Sequence, residues 1–256
     1  MNQRSLLIVA DDLGLSPEVN EGILDVVRVG RVTVVAAMVN PPYHTDFASF
    51  HETDVSIGIH LNLTHGRPCL DPQEVSSLVD SRGQFLRGRE QLFAGMVLEH
   101  AEKEMTSQTN RFRQLAGQDP EHITVHKNLH MYHRGLLDFF IDLARSLGAS
   151  LRVFNTAMRD VCRAEGVKTS DHFIGDVRPA PFWTIERLAS ELAVVPAGLT
   201  EMMCHPGRNV KPMQDLRYIE QRDVERETLL SDEGGVILSG FQLVNCHSAF
   251  LSHELR

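Results

Sequence analysis

Two adjacent carboxylates, Asp11 and Asp12, end an apolar run at residues 6–10. Side chains on a strand alternate between faces, so neighbouring aspartates reach one pocket only where the strand breaks. Gly14 and the Ser16-Pro17 pair supply that break. Two carboxylates in one pocket repel each other, and one ordinarily keeps a proton. A divalent or substrate cation removes that penalty, so the pair predicts a cation nearby.

Histidines that could share it lie in three other segments. In "GIHLNLT", Ile57, Ile59, Leu61 and Leu63 form one face and His60, Asn62 and Thr64 the other. In "HITVHKNLHM", period 2 places His122, Thr124, His126, Asn128 and His130 on one strand face, and helical spacing would also converge the histidines. His205 closes "EMMCHPG". Taken singly, each has a structural reading: a core histidine, a solvated edge strand, a Pro-Gly turn. Taken together, one aspartate and two histidines from separate strands compose a three-ligand site with open positions for water. Mixed O and N ligation suits Zn²⁺ or Mg²⁺, and also Fe²⁺, Mn²⁺ or Ni²⁺. Beside a carboxylate base, such a site is built for metal-assisted hydrolysis. Non-haem iron oxygenases use a similar donor set, but with an H-x-D/E pair on a β-jelly-roll, which the strand segments lack. His44, His51, His65, His100, His247 and His253 have no comparable setting and read as surface or loop residues.

The elements that must position these residues alternate. Residues 6–10 read as a buried strand. Ser16 reads as an N-cap with Pro17 at N1, and Val19, Ile23, Val26 and Val27 recur at helical spacing up to Gly30. Residues 32–40 form the next strand, so the opening predicts a parallel strand–helix–strand unit. Further strands are expected at 55–64, 122–131, 150–154 and 201–207. Helices are expected at 89–115 (one or two), 134–147, 184–193 and 217–230. This alternation predicts an α/β fold of mostly parallel strands: an irregular (β/α) barrel, TIM-barrel-like, with an open doubly wound sheet as the competing architecture.

At 256 residues, the chain fits one such domain spanning 1–256. A net charge of −9 with no Lys/Arg cluster argues against nucleic acid or an anionic membrane as partner. The four cysteines are far apart with no CxxC pair, which speaks against a structural zinc site or a disulfide framework. That cysteine usage, and the short apolar run before charge at the N-terminus, predict a cytoplasmic protein with no membrane span. Neither GxGxxG nor GxxxxGK[ST] occurs.

The blocks "ADDLGLSPEVNEGI", "AAMVN", "GIHLNLTHGRP", "HITVHKNLHM" and "EMMCHPG" stand in an order and spacing that resembles the YdjC-like carbohydrate deacetylases, which include the chitooligosaccharide deacetylases. The resemblance spans most of the chain. It implies a (β/α) barrel, a divalent metal (Mg or Zn), an N-acetylated carbohydrate as substrate, and a homodimer. It puts the metal on Asp12, His60 and His126, the catalytic base on Asp11 and the HPG histidine on His205. His205 or His130 would protonate the leaving amine, and His130, Asn128 and Asn62 would bind substrate or support the ligands. This chain departs from the family pattern at Leu13, in place of phenylalanine, at Thr124, in place of aspartate, and at Asn128, in place of histidine. The loss of a carboxylate at Thr124 is expected to loosen a histidine ligand or to weaken activity. The loops at 68–89 and 176–183 are expected to set the substrate.

Overall fold

The computed structural model describes residues 3–40, 42, 47–50, 52–212 and 217–251. His44, His51 and His253 lie outside them. The elements run β1 (Arg4–Leu13), α1 (Pro17–Arg28), β2 (Val34–Ala37), β3 (Ser56–Leu61), α2 (Arg89–Gly95), α3 (Leu98–Ala116), β4 (His122–Val125), α4 (Arg134–Leu147), β5 (Ser150–Leu151), α5 (Thr156–Ala164), β6 (His172–Ile174), α6 (Ile185–Ala193), β7 (Gly198–Cys204), α7 (Glu220–Leu230), α8 (Asp232–Leu238), β8 (Gln242–Leu243) and α9 (Cys246–Leu251). Local chemistry sets several boundaries as expected. Ser16 Oγ accepts from the Val19 amide at 3.2 Å to start α1, and Gly148 ends α4 in the left-handed conformation.

The paired strands are all parallel, in the order β5-β4-β3-β2-β1-β7-β6, with β8 beside the start of β1. The sheet curls into an incomplete barrel. Its edges, β5 and β6, do not pair with each other. Side chains bridge the gap instead: the Phe154 and Phe173 rings meet edge-on at 4.6 Å, and the Arg152 guanidinium lies over Phe173.

Period 2 divides each strand between two interiors. On β1, Leu6, Ile8 and Ala10 face the helices with Val19, Ile23 and Val26 of α1. Leu7 and Val9 face inward and pack with Val34, Ala36 and Leu199 on Val244 and Phe250. That small apolar cluster plugs the bottom of the barrel, and α9 contributes to it. Above it the inward positions turn polar, and the strands' C-terminal ends form the rim where such folds build their sites. Among the described residues, no helix is long and apolar enough to cross a membrane.

Candidate metal centre and active site

The two aspartates share a cavity because β1 is distorted at its end. The register of β1 on β2 slips between Ala10 and Leu13, and Asp12 takes a left-handed backbone with φ 70°. That conformation is uncommon outside glycine, and aspartate is among the residues that tolerate it. Asn20 Oδ1 then accepts from the Gly14 amide at 2.6 Å, which ties the turn to α1. Asp11 and Asp12 both line a cavity of about 760 Å³ at the barrel rim, with His60, His126 and His205.

Asp12 Oδ1 lies 3.3 Å from His60 Nε2 and 3.4 Å from His126 Nδ1. It is buried and has no hydrogen-bond partner, so both contacts are close approaches of unbonded atoms. One ligand atom from each residue lies within 4.8 Å of the others. A carboxylate oxygen without a donor, between two imidazole nitrogens, fits a divalent cation.

Thr124, where the sequence suggested a loosened ligand, instead holds His60. Its Oγ1 is 2.6 Å from His60 Nδ1, and its hydroxyl donates to Ile59 O at 3.3 Å. The oxygen must therefore accept from Nδ1–H. That fixes the tautomer with the Nε2 lone pair facing Asp12.

Asp11 faces inward and takes a two-pronged bond from Arg152, Nη1 to Oδ2 at 2.6 Å and Nη2 to Oδ1 at 3.0 Å. Arg152 Nε also bonds Glu201 Oε1, which His122 Nε2 approaches at 3.2 Å. Burial pushes the Asp11 carboxyl up, but the Arg152 guanidinium outweighs it and the pKa is lowered. Burial likewise opposes ionisation of Asp12, and the Arg222 guanidinium holds it well below the usual range. Each aspartate thus has its own guanidinium. The countercharge that the sequence assigned to a cation alone is supplied in part by two arginines.

His205 follows β7. Its amide donates to Glu225 Oε2 at 2.7 Å, and its Nε2 is 3.8 Å from Asp11 Oδ2. Burial lowers its pKa to about 4. Burial raises that of Glu225 to about 7, and Glu225 accepts from the Tyr218 hydroxyl. The turn after His205 packs on α1 so closely that a Cβ on Gly22 would lie 2.3 Å from Gly207 Cα. Only glycine fits at that point of α1.

The structure departs from the sequence reading in the third block, at His130 and at His65. The strand of the third block stops at Val125, and Lys127 and Asn128 take positive φ, 57° and 53°. The chain turns there, so the single face from His122 to His130 breaks. His122 and Thr124 stay on β4, and His126 and Asn128 line the cavity. His130 does not line it. It is buried against Phe140 and Phe154, with Nε2 on Arg152 O at 3.1 Å. Asn62 is a brace: its side chain bonds Asn40, His65 O and the amides of Thr64 and His65. His65, read as a loop residue, lines the cavity. The flanking loops supply Phe85, Arg87, Asp176 and Val177, in keeping with their expected place at the mouth.

Sequence reasoning missed Arg152, Glu201, Arg222 and Glu225. The first two carried a signal, because a charge inside "SLRVF" or "TEMMC" needs a buried partner. The last two sit in "EQRDVERETLL", which reads as a solvated helix.

Residues 5–238 match the family model described as YdjC-like protein. The chain belongs to the YdjC-like family. It is 33% identical to a carbohydrate deacetylase of Brevibacillus brevis, covering 89% of this chain and 92% of the relative. It is 28% identical to a chitooligosaccharide deacetylase of Serratia marcescens, covering 94% and 99%. Among solved structures it resembles a putative cellobiose-phosphate cleavage protein of Enterococcus faecalis V583. The TM-score is 0.82 at 28% identity, covering 96% of this chain and 98% of the other. The CE4 domain of a multidomain xylanase from the hindgut metagenome of Trinervitermes trinervoides shares the fold, with TM-score 0.53 at 9% identity over 99% and 92% of the two chains.

Proposed function

We propose that this YdjC-like chain is a metal-dependent deacetylase that removes an acetyl group from an N-acetylated sugar, releasing acetate and a free amine. The observation that carries the reading is Asp12 Oδ1, buried and unpartnered between His60 Nε2 and His126 Nδ1, with Asp11 beside it in one cavity. The named activities of the relatives point the same way.

Asp12, His60 and His126 would hold the metal, whose chemistry is to polarise the acetamide carbonyl and lower the pKa of water. Two nitrogens and one carboxylate oxygen suit zinc better than magnesium, whose sites are oxygen-rich. Asp11, kept ionised and oriented by Arg152, accepts the proton of the attacking water. His205 is neutral at rest, because burial holds its pKa near 4. The proton it gives to the leaving nitrogen is therefore the one received through Asp11, whose Oδ2 lies 3.8 Å from Nε2. Asn128 and the residues of the two mouth loops would contact the sugar. A cytoplasmic setting and a homodimer belong to the same reading, and sedimentation tests the dimer.

The test is acetate release from N-acetylglucosamine oligomers by metal-loaded and chelated protein. Metal-dependent release is the expected result. No release from any N-acetylated sugar with Zn²⁺ or Mg²⁺ bound would refute the proposed activity.

A further inference from the structure

Arg222 is a charged residue of this site that no sequence motif marks. It comes from the first turn of α7, and its side chain is 2% exposed. Nη2 bonds Asp12 Oδ2, Nε donates to Tyr218 O at 2.9 Å, and Nη1 has no partner. Asp12 is thereby divided between two tasks. Oδ2 belongs to the arginine, and Oδ1 is left facing His60 and His126. A planar guanidinium fixes the rotation of the carboxylate it bonds, as a flexible ammonium would not.

Two opposing effects follow from that placement. An uncompensated buried carboxylate is strongly destabilising, so Arg222 supports the fold whenever no metal is bound. A fixed positive charge on the far oxygen of a ligand also repels a dication arriving at the near one. Arg222 therefore stabilises the metal-free protein more than the metal-bound one.

We propose that Arg222 is the standing counter-ion of the metal aspartate. It keeps the three ligands arranged and the barrel folded without metal, and it loosens the hold on the ion so that the metal exchanges. The inference rests on the metal reading of Asp12, His60 and His126 given above.

The test uses the full chain stripped by chelator, with Zn²⁺ titrated calorimetrically and melting followed with and without the ion. Arg222→Met is expected to melt lower than wild type when metal-free. It should bind Zn²⁺ about tenfold or more tighter and show a larger metal-induced rise in melting temperature. Arg222→Lys keeps the repelling charge, so the tenfold gain in Zn²⁺ affinity is not expected of it. An Arg222→Met protein that binds no tighter, with an unchanged metal-induced shift, overturns the proposal. If Arg222→Met does not fold without metal, Asp12→Asn in the same chain decides the cause. Recovered folding supports an unpaired Asp12 charge. A double variant that stays unfolded assigns the role of Arg222 to its side-chain bond to Tyr218 O, and the proposal falls. A wild-type protein that binds neither Zn²⁺ nor Mg²⁺ overturns the metal reading itself, a result distinct from tight wild-type binding unaltered by Arg222→Met.

Discussion

Thr124→Val tests how the site holds its first histidine. The substitution keeps the side chain's shape and removes one hydroxyl. His60 Nδ1–H loses its acceptor at 2.6 Å, and Ile59 O loses a donor at 3.3 Å. Leaving such a buried group unsatisfied costs about 1–3 kcal/mol. Partners that orient metal-binding histidines are worth roughly 10–100-fold in affinity. At about 1.4 kcal/mol per tenfold, that range matches the loss of one buried hydrogen bond. Thr124→Val is therefore expected to weaken Zn²⁺ binding by about 10–100-fold and to lower the unfolding free energy by about 1–3 kcal/mol. Turnover at saturating metal should survive, because Asp11 and Arg152 are untouched. Calorimetric metal titration and urea unfolding of the metal-free protein read the two effects separately. Thr124→Ser, which keeps the hydroxyl and drops the methyl, is expected to keep wild-type metal affinity. A folded Thr124→Val protein with wild-type metal affinity would show that Thr124 does not orient His60.

Other expected outcomes follow from the same geometry. Asp11→Asn should keep metal binding and lower acetate release by about 100-fold or more, because it removes the proton acceptor and leaves the three metal-facing residues in place; full activity would refute the base assignment. His130 and His205 are both held near pKa 4 by burial, against about 6.5 when unfolded. The unfolded chain therefore takes up protons first as pH falls through 6.5, so stability is present above that pH and is lost toward pH 4. Each histidine should lower the unfolding free energy by about 2 kcal/mol between pH 7 and pH 5, and a flat urea-unfolding profile over that window would contradict it. Gly22→Ala places a methyl against the Gly207 backbone. Overpacking of about 1–3 kcal/mol should appear in thermal unfolding, with kcat falling more than KM as His205 shifts. Unchanged kinetics would mean that the turn yields without moving His205.

Much of the scaffold was legible locally. The cap at Ser16, the helical spacing to Gly30 and the stop at Gly148 are short-range features, set by backbone sterics and nearby hydrogen bonds. Strand ends were less so. The expected strand at 122–131 stops at Val125, and the stretch after it bends on two left-handed residues that no period-2 pattern announces. His130 was misplaced for that reason: alternation holds only while the strand lasts. Asn62 was on the right strand face, yet that face passes into a loop that the side chain braces from within.

The sequence by itself determined the βα alternation, the break after two aspartates, and three donor segments each ending at one rim. Residue type and spacing carry those features. Only the tertiary structure decided the charge balance. Arg152 lies 141 positions from Asp11, and Arg222 lies 210 from Asp12. No local pattern couples residues so far apart. They meet because parallel strands and their following segments converge at one end of the barrel, where a buried carboxylate must find a cation. Two like charges at the end of a buried strand are therefore stable neighbours, each with its own arginine, and one oxygen of Asp12 remains free to face the histidines.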